Sequence, residues 1–271
     1  MATKPPTLWT VWQDTRAALA AAVARLGTGD AEAIHDARVA TRRVETLLEL
    51  LRPRGHKKVT RRALRAVADL RRALGEGRDL EVTLELLVEA RPALAASQRA
   101  AARVLSARLR RRVATLRKRA AQDAGAPWAA VPPALDAFVA AVGAQAGSRV
   151  SRRLLDLAGE VVKATRVTAR QKDLAAVHRL RVRFKRLRYA LEVLDQAGLL
   201  VLDDEGKRVL KGAQDAFGQT VDKHVAAPVM RETLPALAAS LASTAQQHTQ
   251  QLVDVASSWV RRQDVRQDSP T

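Results

Sequence analysis

Cysteine is absent from the 271 residues, and its absence excludes several kinds of site. Without thiols the chain has no disulfide, no thiolate zinc site, no iron–sulfur cluster and no cysteine nucleophile. Aromatic residues make up only 3% of the sequence, so few side chains are able to stack on the bases of single-stranded nucleic acid. The composition therefore disfavours soft metals and unstacked bases as ligands.

Long apolar runs are also missing. No run approaches the roughly 20 residues that a membrane-spanning helix needs, and 28% of the residues are charged. The first ten residues, MATKPPTLWT, lack the apolar core of a secretory signal. We therefore expect a cytoplasmic protein without a membrane span, and the lack of cysteine is compatible with a reducing compartment.

Positive charge is what the sequence has in excess. The formal net charge is +19, from 47 basic and 28 acidic residues, and 37 of the basic residues are arginine. Such an excess repels itself unless an anionic partner is present. Arginine binds phosphate oxygens through two parallel hydrogen bonds, so the expected partners are nucleic acid, an acidic membrane surface or a phosphate polymer.

Apolar residues recur at intervals of three and four along most of the chain, as is typical of amphipathic helices. With 47% hydrophobic residues a sizeable core is possible, and we predict an all-α protein. Asp30 and Asp173 are the expected N-caps of two helices. The predicted helices span residues 7–26, 30–52, 57–74, 79–89, 92–122, 132–143, 149–170, 173–197, 204–216, 219–226 and 229–262.

The sequence repeats itself at an offset of 143 residues. Seven of 17 positions are identical between HDARVATRRVETLLELL, from His35, and HRLRVRFKRLRYALEVL, from His178. At the same offset LGEGRD at 74–79 matches FGQTVD at 217–222, and PALAAS occurs at both 92–97 and 235–240. Three matches at one offset predict a tandem duplication.

The repeat predicts two pseudo-symmetric helical bundles within one domain over residues 1–271. The first bundle spans 7–125, a connector spans 126–149, the second bundle spans 150–262 and a tail spans 263–271. Two similar bundles would pack about a pseudo-two-fold axis, which would bring equivalent faces together.

Each repeat begins on a helix with one basic face. At 100° per residue, Arg38 and Arg42 lie within about 60° of His35, whereas the opposite face carries Val44 and three leucines. In the second half four residues at spacing i, i+3, i+7 and i+10 share one stripe: His178, Arg181, Lys185 and Arg188. Neighbouring cations on a helix repel each other, and a bridging anion removes that cost. A solvated face paired with acids on a neighbouring helix is the alternative.

These two segments resemble the signature helices of the CHAD family, the conserved histidine α-helical domain, whose pattern is roughly H-x-x-R-V-x-x-[RK]-R-x-R in each half. Leu74-Gly-Glu-Gly-Arg-Asp79 is similar to a turn of the same family. The resemblance implies two pseudo-symmetric helical bundles with a basic central surface, binding of inorganic polyphosphate and association with polyphosphate granules. It implies no catalysis.

Carried over residue by residue, the resemblance also implies the ligand contacts. In the first half they are His35, Arg38, Arg42 and Arg43, and in the second half His178, Arg181, Lys185, Arg186 and Arg188. We expect four further cations as an extension of a basic groove at the junction of the bundles: Arg71, Arg72, Arg183 and Lys211.

Several positions qualify that assignment. Glu45 stands where the family pattern favours a cation, so the first stripe is shorter there or Glu45 pairs with an arginine. Asp79 and Asp222 are expected as helix caps, and Arg78 as a cap or a structural ion pair. Gly75 and Gly218 are expected to permit a tight turn or a close helix contact.

A second basic segment lies at residues 99–119, with nine cations and no acid. It is a second anion-binding strip, a site for nucleic acid or another protein, or a solvated helix face. Its counterpart in the second half carries far less charge.

We predict a polyphosphate-binding protein that is not an enzyme and needs no cofactor or metal. Near arginines, His35 and His178 should lose their protons easily, and the five histidines show no metal-ligand spacing. The chain has no P-loop motif and lacks the ExExK motif of the CYTH domains often joined to CHAD domains. The alternatives are a nucleic-acid-binding protein, a phosphohydrolase or polyphosphate kinase, and a scaffold that recruits other proteins to granules.

Overall fold

The computed structural model describes residues 7–28, 30, 32–75, 78–142 and 150–267, with side chains up to residue 262 except that of Arg78. These residues form α-helices and two short 3₁₀ turns, with no strand among them, so the all-α class is confirmed. The predicted connector and tail contain residues 143–149 and 268–271, which lie outside the described residues. The helices are α1 (Leu8–Ala24), α2 (Ala33–Leu50), α3 (Lys57–Ala73), α4 (Arg78–Ala90), α5 (Ala96–Asp123), α6 (Gly125–Val142), α7 (Val150–Gln171), α8 (Leu174–Gln196), α9 (Asp204–Met230) and α10 (Pro235–Gln267).

Contacts between helices define two compact units, each built from three stretches of chain. The first contains the described residues of 1–77, 113–156 and 188–203, and the second those of 78–112, 157–187 and 204–271. The units are defined by packing, whereas the bundles predicted above are defined by repeated sequence. The bundle boundaries at 7–125 and 150–262 stay a prediction.

The first unit is built on α2, which packs between α1 and α3, while α6 packs on α3. Trp12 of α1 is only 2% exposed, and its ring lies 5.6 Å from that of Phe138 on α6. The leucine-rich face predicted for α2 is buried as expected and contains Val44, Leu47, Leu48 and Leu51. Burial of that face forces the basic face of α2 outward.

The second unit is organised by α9 and α10, which pack along each other. One apolar cluster includes Leu105 of α5, Met230 of α9 and Leu234, just before α10. The other cluster includes Val177 of α8 and Phe217 of α9. The α9–α10 segment therefore contributes to two separate clusters, one with α5 and one with α8.

Helix order in the two halves follows the 143-residue offset. When α1, α2 and α5 are shifted by 143 residues, their bounds fall inside α7, α8 and α10. α3 and α4 together correspond to the single helix α9, while α6 has no described counterpart. The duplication itself stays a prediction, because helix order alone does not establish it.

The predicted break between helices 204–216 and 219–226 is wrong, because α9 runs without interruption from Asp204 to Met230. The first half has a second glycine, Gly77, where the second half has Thr220. Thr220 is fully buried and donates its hydroxyl to the Ala216 carbonyl at 2.9 Å. Phe217 packs on Phe184 with 5.6 Å between ring centres, so tertiary packing holds the helix together across Gly218.

The roles predicted for Gly218 and Asp222 change accordingly. Gly218 lies inside the helix, with neither a turn nor a close helix contact around it. Asp222 also lies inside α9 and caps no helix. Asp79 lies in the first turn of α4, where an acidic side chain stabilises the helix N-terminus. Gly75 follows Leu74, the C-cap of α3, and its N–H donates to the Arg72 carbonyl at 2.9 Å, which is consistent with the predicted tight turn.

The helix predicted at 132–143 begins earlier, at Gly125, and runs through Pro132 and Pro133. A proline inside a helix costs about 3 kcal/mol because it removes a hydrogen bond and crowds the preceding turn. Burial of Leu135 and Phe138 offsets that cost. Among the described helices, α6 is also the one that length and composition would allow to cross a membrane, although it packs on α3.

Of the N-caps predicted at Asp30 and Asp173, one is confirmed. Asp173 accepts a hydrogen bond from the backbone N–H of Ala176 at 2.6 Å at the start of α8. Asp30 accepts from the backbone of Glu32 instead, and Glu32 is the residue that precedes α2. Asp30 therefore forms a turn just before the helix rather than its N-cap.

The Gly218→Ala substitution should stabilise the protein by about 0.5–1 kcal/mol, because alanine loses less backbone entropy than glycine in a helix interior. A Cβ at residue 218 would meet only Asp222 Oδ2, at 3.9 Å. Urea unfolding followed by circular dichroism measures the change.

The matched control is Gly75→Ala, whose Cβ would lie 3.1 Å from the Arg72 carbonyl oxygen. We expect no gain in stability from that substitution. A lower unfolding midpoint for Gly218→Ala would contradict an uninterrupted α9.

Candidate functional site

The basic face of α2 lies in the first unit and has one anchored member. His35 is exposed, and Arg38, Arg42 and Arg43 are half-buried. Arg38 Nη1 donates to the Leu74 carbonyl oxygen at 3.0 Å, at the C-terminus of α3. A cation there stabilises the carbonyl end of the helix. Arg38 therefore ties α2 to α3, and His35 and Arg42 form the outer part of the face.

Glu45 interrupts the basic face of α2 and pairs with an arginine, one of the two expected arrangements. Arg71 Nε donates to Glu45 Oε1 at 3.0 Å. Arg72, the next residue of α3, pairs with Asp69 at 2.8 Å and is largely exposed. Both predicted groove cations of α3 are thus engaged with carboxylates of their own unit.

Arg43 lines a cavity of about 550 Å³ beside α1 and α2. Half of the lining residues are alanine or valine, and the polar ones include Arg25 and Asp36. Arg25 bridges Asp30 and Asp36 at 2.8 Å each, and these hydrogen bonds, the stronger to Asp36, raise the pKa of Arg25. The backbone N–H of Glu32 and then Arg25 lower the pKa of Asp30. Charge on that side of the cavity is internally balanced.

The α8 face, defined as His178, Arg181 and Lys185, lies in the second unit. His178 is exposed, while Arg181 and Lys185 are partly buried. Arg181 Nη2 lies 3.9 Å from Asp222 Oδ1 on α9, and the arginine side chain is only 18% exposed. Asp222 thus orients Arg181, whereas the sequence analysis had predicted that Asp222 caps a helix.

The surroundings of His178 on the α8 face disfavour the charged form of its ring. Partial desolvation of the ring, followed by the charges of Arg181 and then Lys185, lowers the pKa of His178. This direction agrees with the expectation that His178 loses its proton easily. A neutral imidazole beside two cations can donate an N–H to an anion or accept a hydrogen bond, depending on its tautomer.

Three other cations of α8 form a second column that contacts polar side chains of α7. Glu160 Oε2 accepts from Arg183 at 2.8 Å and from Arg186 at 3.3 Å. Arg179, further toward the start of the helix, donates to Gln171. The carboxylate of Glu160 was not identified from the sequence, because 23 residues separate it from Arg183 and no local spacing signals the contact.

Arg188 is counted with the first unit and is mostly buried, with 16% of its side chain exposed. It pairs with Glu192 at 2.9 Å and its guanidinium lies 5.0 Å from the centre of the Tyr189 ring. These contacts give Arg188 a packing role. Lys211 is exposed on α9, and no group of acids and histidines in the described part of the chain is arranged to hold a metal ion. Ligand binding by all the predicted site residues stays a prediction.

The imidazole of His178 should titrate below its ordinary pKa of 6.5, because the folded surroundings disfavour its charged form. Lys185→Gln removes a neighbouring positive charge, so the midpoint should rise toward that value. Proton NMR of the histidine ring across pH 4–8 measures it.

Arg183→Gln is the matched control, since it removes one charge from the same helix but from the column held by Glu160. Its His178 midpoint should equal that of the unmodified protein. An equal rise in both variants would mean that the net charge of the protein, rather than the α8 face, sets the pKa.

Comparison with known proteins gives a consistent result. The CHAD domain profile matches residues 10–231. The crystal structure of the CHAD domain from the plant Ricinus communis has a TM-score of 0.64 at 20% identity, covering 96% of this chain and 90% of that one. PptA from Streptomyces chartreusis has a TM-score of 0.61 at 18% identity, covering 95% and 99%.

No curated protein sequence matches the chain. At these low identities the two structures establish the fold alone, whereas the profile match covers most of the sequence and includes both histidine helices. The chain therefore belongs to the CHAD domain family.

Proposed function

We propose that the protein binds inorganic polyphosphate through the α8 face, with His35, Arg42 and Arg43 of α2 as further contacts. The role is binding without catalysis, in the cytoplasm and in association with polyphosphate granules. Polyphosphate binding is a known association of the CHAD family, and membership supports the choice of ligand. The predicted position of the ligand in a groove between bundles stays a prediction.

The observation that carries the proposal is the concentration of positive charge at His178. Partial desolvation of the ring lowers its pKa most, and the charges of Arg181 and then Lys185 lower it further. A phosphate chain bound there would relieve that repulsion and accept charge-assisted hydrogen bonds from both cations. Binding should therefore raise the pKa of His178 again.

The surroundings of the α8 face support binding over hydrolysis. Phosphoryl transfer needs metal ions or a positioned base at the reacting phosphate. The nearby carboxylates Asp222 and Glu160 are each engaged by arginine. They orient the cations, and no step of bond cleavage is assigned to them.

Ligand length and salt should control affinity. Polyphosphate carries about one charge per residue, and contact with several cations releases counterions, so affinity falls with rising salt as it does for DNA. A longer chain reaches more cations of the same protein and should bind more tightly until the basic surface is filled.

Calorimetric titration with long-chain polyphosphate at two salt concentrations tests the site. Arg181→Gln/Lys185→Gln should weaken binding by about tenfold for each cation removed, because charge-assisted hydrogen bonds are lost. The salt dependence should become shallower. Lys185→Gln alone keeps the Arg181–Asp222 pair and separates loss of contact from loss of fold.

The control Arg179→Gln/Arg183→Gln removes two exposed charges from the opposite side of α8 and should retain near-normal affinity. Equal weakening in both double variants would reject the α8 face as the site.

Absence of binding by the unmodified protein would reject polyphosphate, and tighter binding of duplex DNA at matched charge would favour nucleic acid. Release of orthophosphate in the presence of magnesium would contradict a role without catalysis.

A further inference from the structure

The α5 cluster, defined as Arg103, Arg108, Arg110 and Arg112, is a second concentration of positive charge. All four residues are exposed and belong to the second unit. No acidic residue occurs anywhere in 99–119. The cluster is separate in sequence from the two histidine helices that carry the proposed function.

Carboxylates do not neutralise the α5 cluster. Some other exposed arginines of the protein are paired, as Arg72 is with Asp69 and Arg183 with Glu160. Within the described residues, none of the four guanidinium groups of the cluster forms an ion pair or a hydrogen bond with a carboxylate. An external anion bound at the cluster would relieve their mutual repulsion.

The cluster is arranged in two columns along the helix. Arg103 and Arg110 are seven residues apart on one side, a rise of about 10.5 Å, and Arg108 and Arg112 are four apart on the other, a rise of about 6 Å. Ala102, Leu105 and Leu109 occupy the buried side of α5. Burial of that side prevents the helix from rotating the arginines away from solvent.

The α5 cluster and the α8 face are attached at different points of the second unit. α5 packs with Met230 near the end of α9, whereas α8 packs with Phe217. These two residues of α9 are separated by about 20 Å along the helix axis. A phosphate chain shorter than that separation is too short to follow α9 from one attachment point to the other.

The side chains between the columns favour a ligand made of phosphate alone. They are Val104, which is 69% exposed, Ala107 and the exposed Arg111. Residues 96–123 contain no aromatic side chain to stack on a base. No asparagine or glutamine lies between Arg103 and Arg112, so this segment has no amide side chain to form hydrogen bonds with the edges of nucleic-acid bases. Arginine forks bind phosphate oxygens well without any such partner.

We propose that the α5 cluster is a second binding face for linear polyphosphate, so that one protein molecule binds two phosphate chains at once. The choice of ligand rests on the proposed function, whereas the location rests on α5 alone. A protein with two such faces cross-links polyphosphate chains, which would be useful in a granule.

The test measures how many short polyphosphate chains, each less than about 20 Å long when extended, one protein binds at saturation in calorimetry. Replacing the α5 cluster with glutamine should lower that number by one and abolish light scattering from cross-linked long chains. A control variant removes the same number of exposed charges from α3. It carries Lys58→Gln, Arg61→Gln, Arg62→Gln and Arg65→Gln.

The control should keep the stoichiometry and the scattering of the unmodified protein, and circular dichroism verifies that both variants stay folded. Unchanged stoichiometry in the α5 variant would overturn the second face and leave the proposed function intact. Equal losses in the α5 and α3 variants would also overturn it.

Loss of duplex DNA binding with unchanged polyphosphate binding would reassign the face to nucleic acid, and no binding by the unmodified protein would reject both proposals.

Discussion

Pairing of arginine with a limited supply of carboxylates is the constraint on which the surface of this protein depends. The chain has 47 basic and 28 acidic residues, so many cations have no carboxylate to pair with. Where the acids lie therefore decides which basic surfaces remain positive. Glu160 engages one column of α8 and Glu45 engages Arg71, while the four arginines of the α5 cluster have no such carboxylate in the part of the chain that the structure describes.

Burial of apolar faces explains why the basic faces are available at all. α2 buries its leucine face, and α5 buries Leu105 and Leu109. Once one side of an amphipathic helix is packed, the opposite side must face solvent or a ligand. Burial of the apolar side chains offsets the electrostatic repulsion between the arginines on the exposed side. A bound anion would reduce that repulsion.

Some tertiary features were accessible from the sequence because their signals are local. The buried face of α2 followed from helical periodicity, and Asp173 was identified as a cap from its position before an apolar run. Pairing of Glu45 with an arginine was one of two expected arrangements. The prediction of a helix break at Gly218 was wrong. A glycine ends a helix only where no tertiary packing opposes it, and the packing of Phe217 and Thr220 keeps α9 continuous. Asp222 was identified through the repeat, but the sequence analysis predicted that it caps a helix rather than contacts Arg181.

The sequence by itself determined the all-α class, the excess of positive charge, the absence of thiol chemistry and the two histidine helices that mark the family. These properties depend on composition and on spacing within a few helical turns. Only the tertiary structure decided which cations are engaged, that Asp222 orients Arg181 and that Arg188 is buried beside Tyr189. Ion pairs such as Arg183–Glu160 join residues on different helices, and their formation depends on packing between helices that no local spacing encodes.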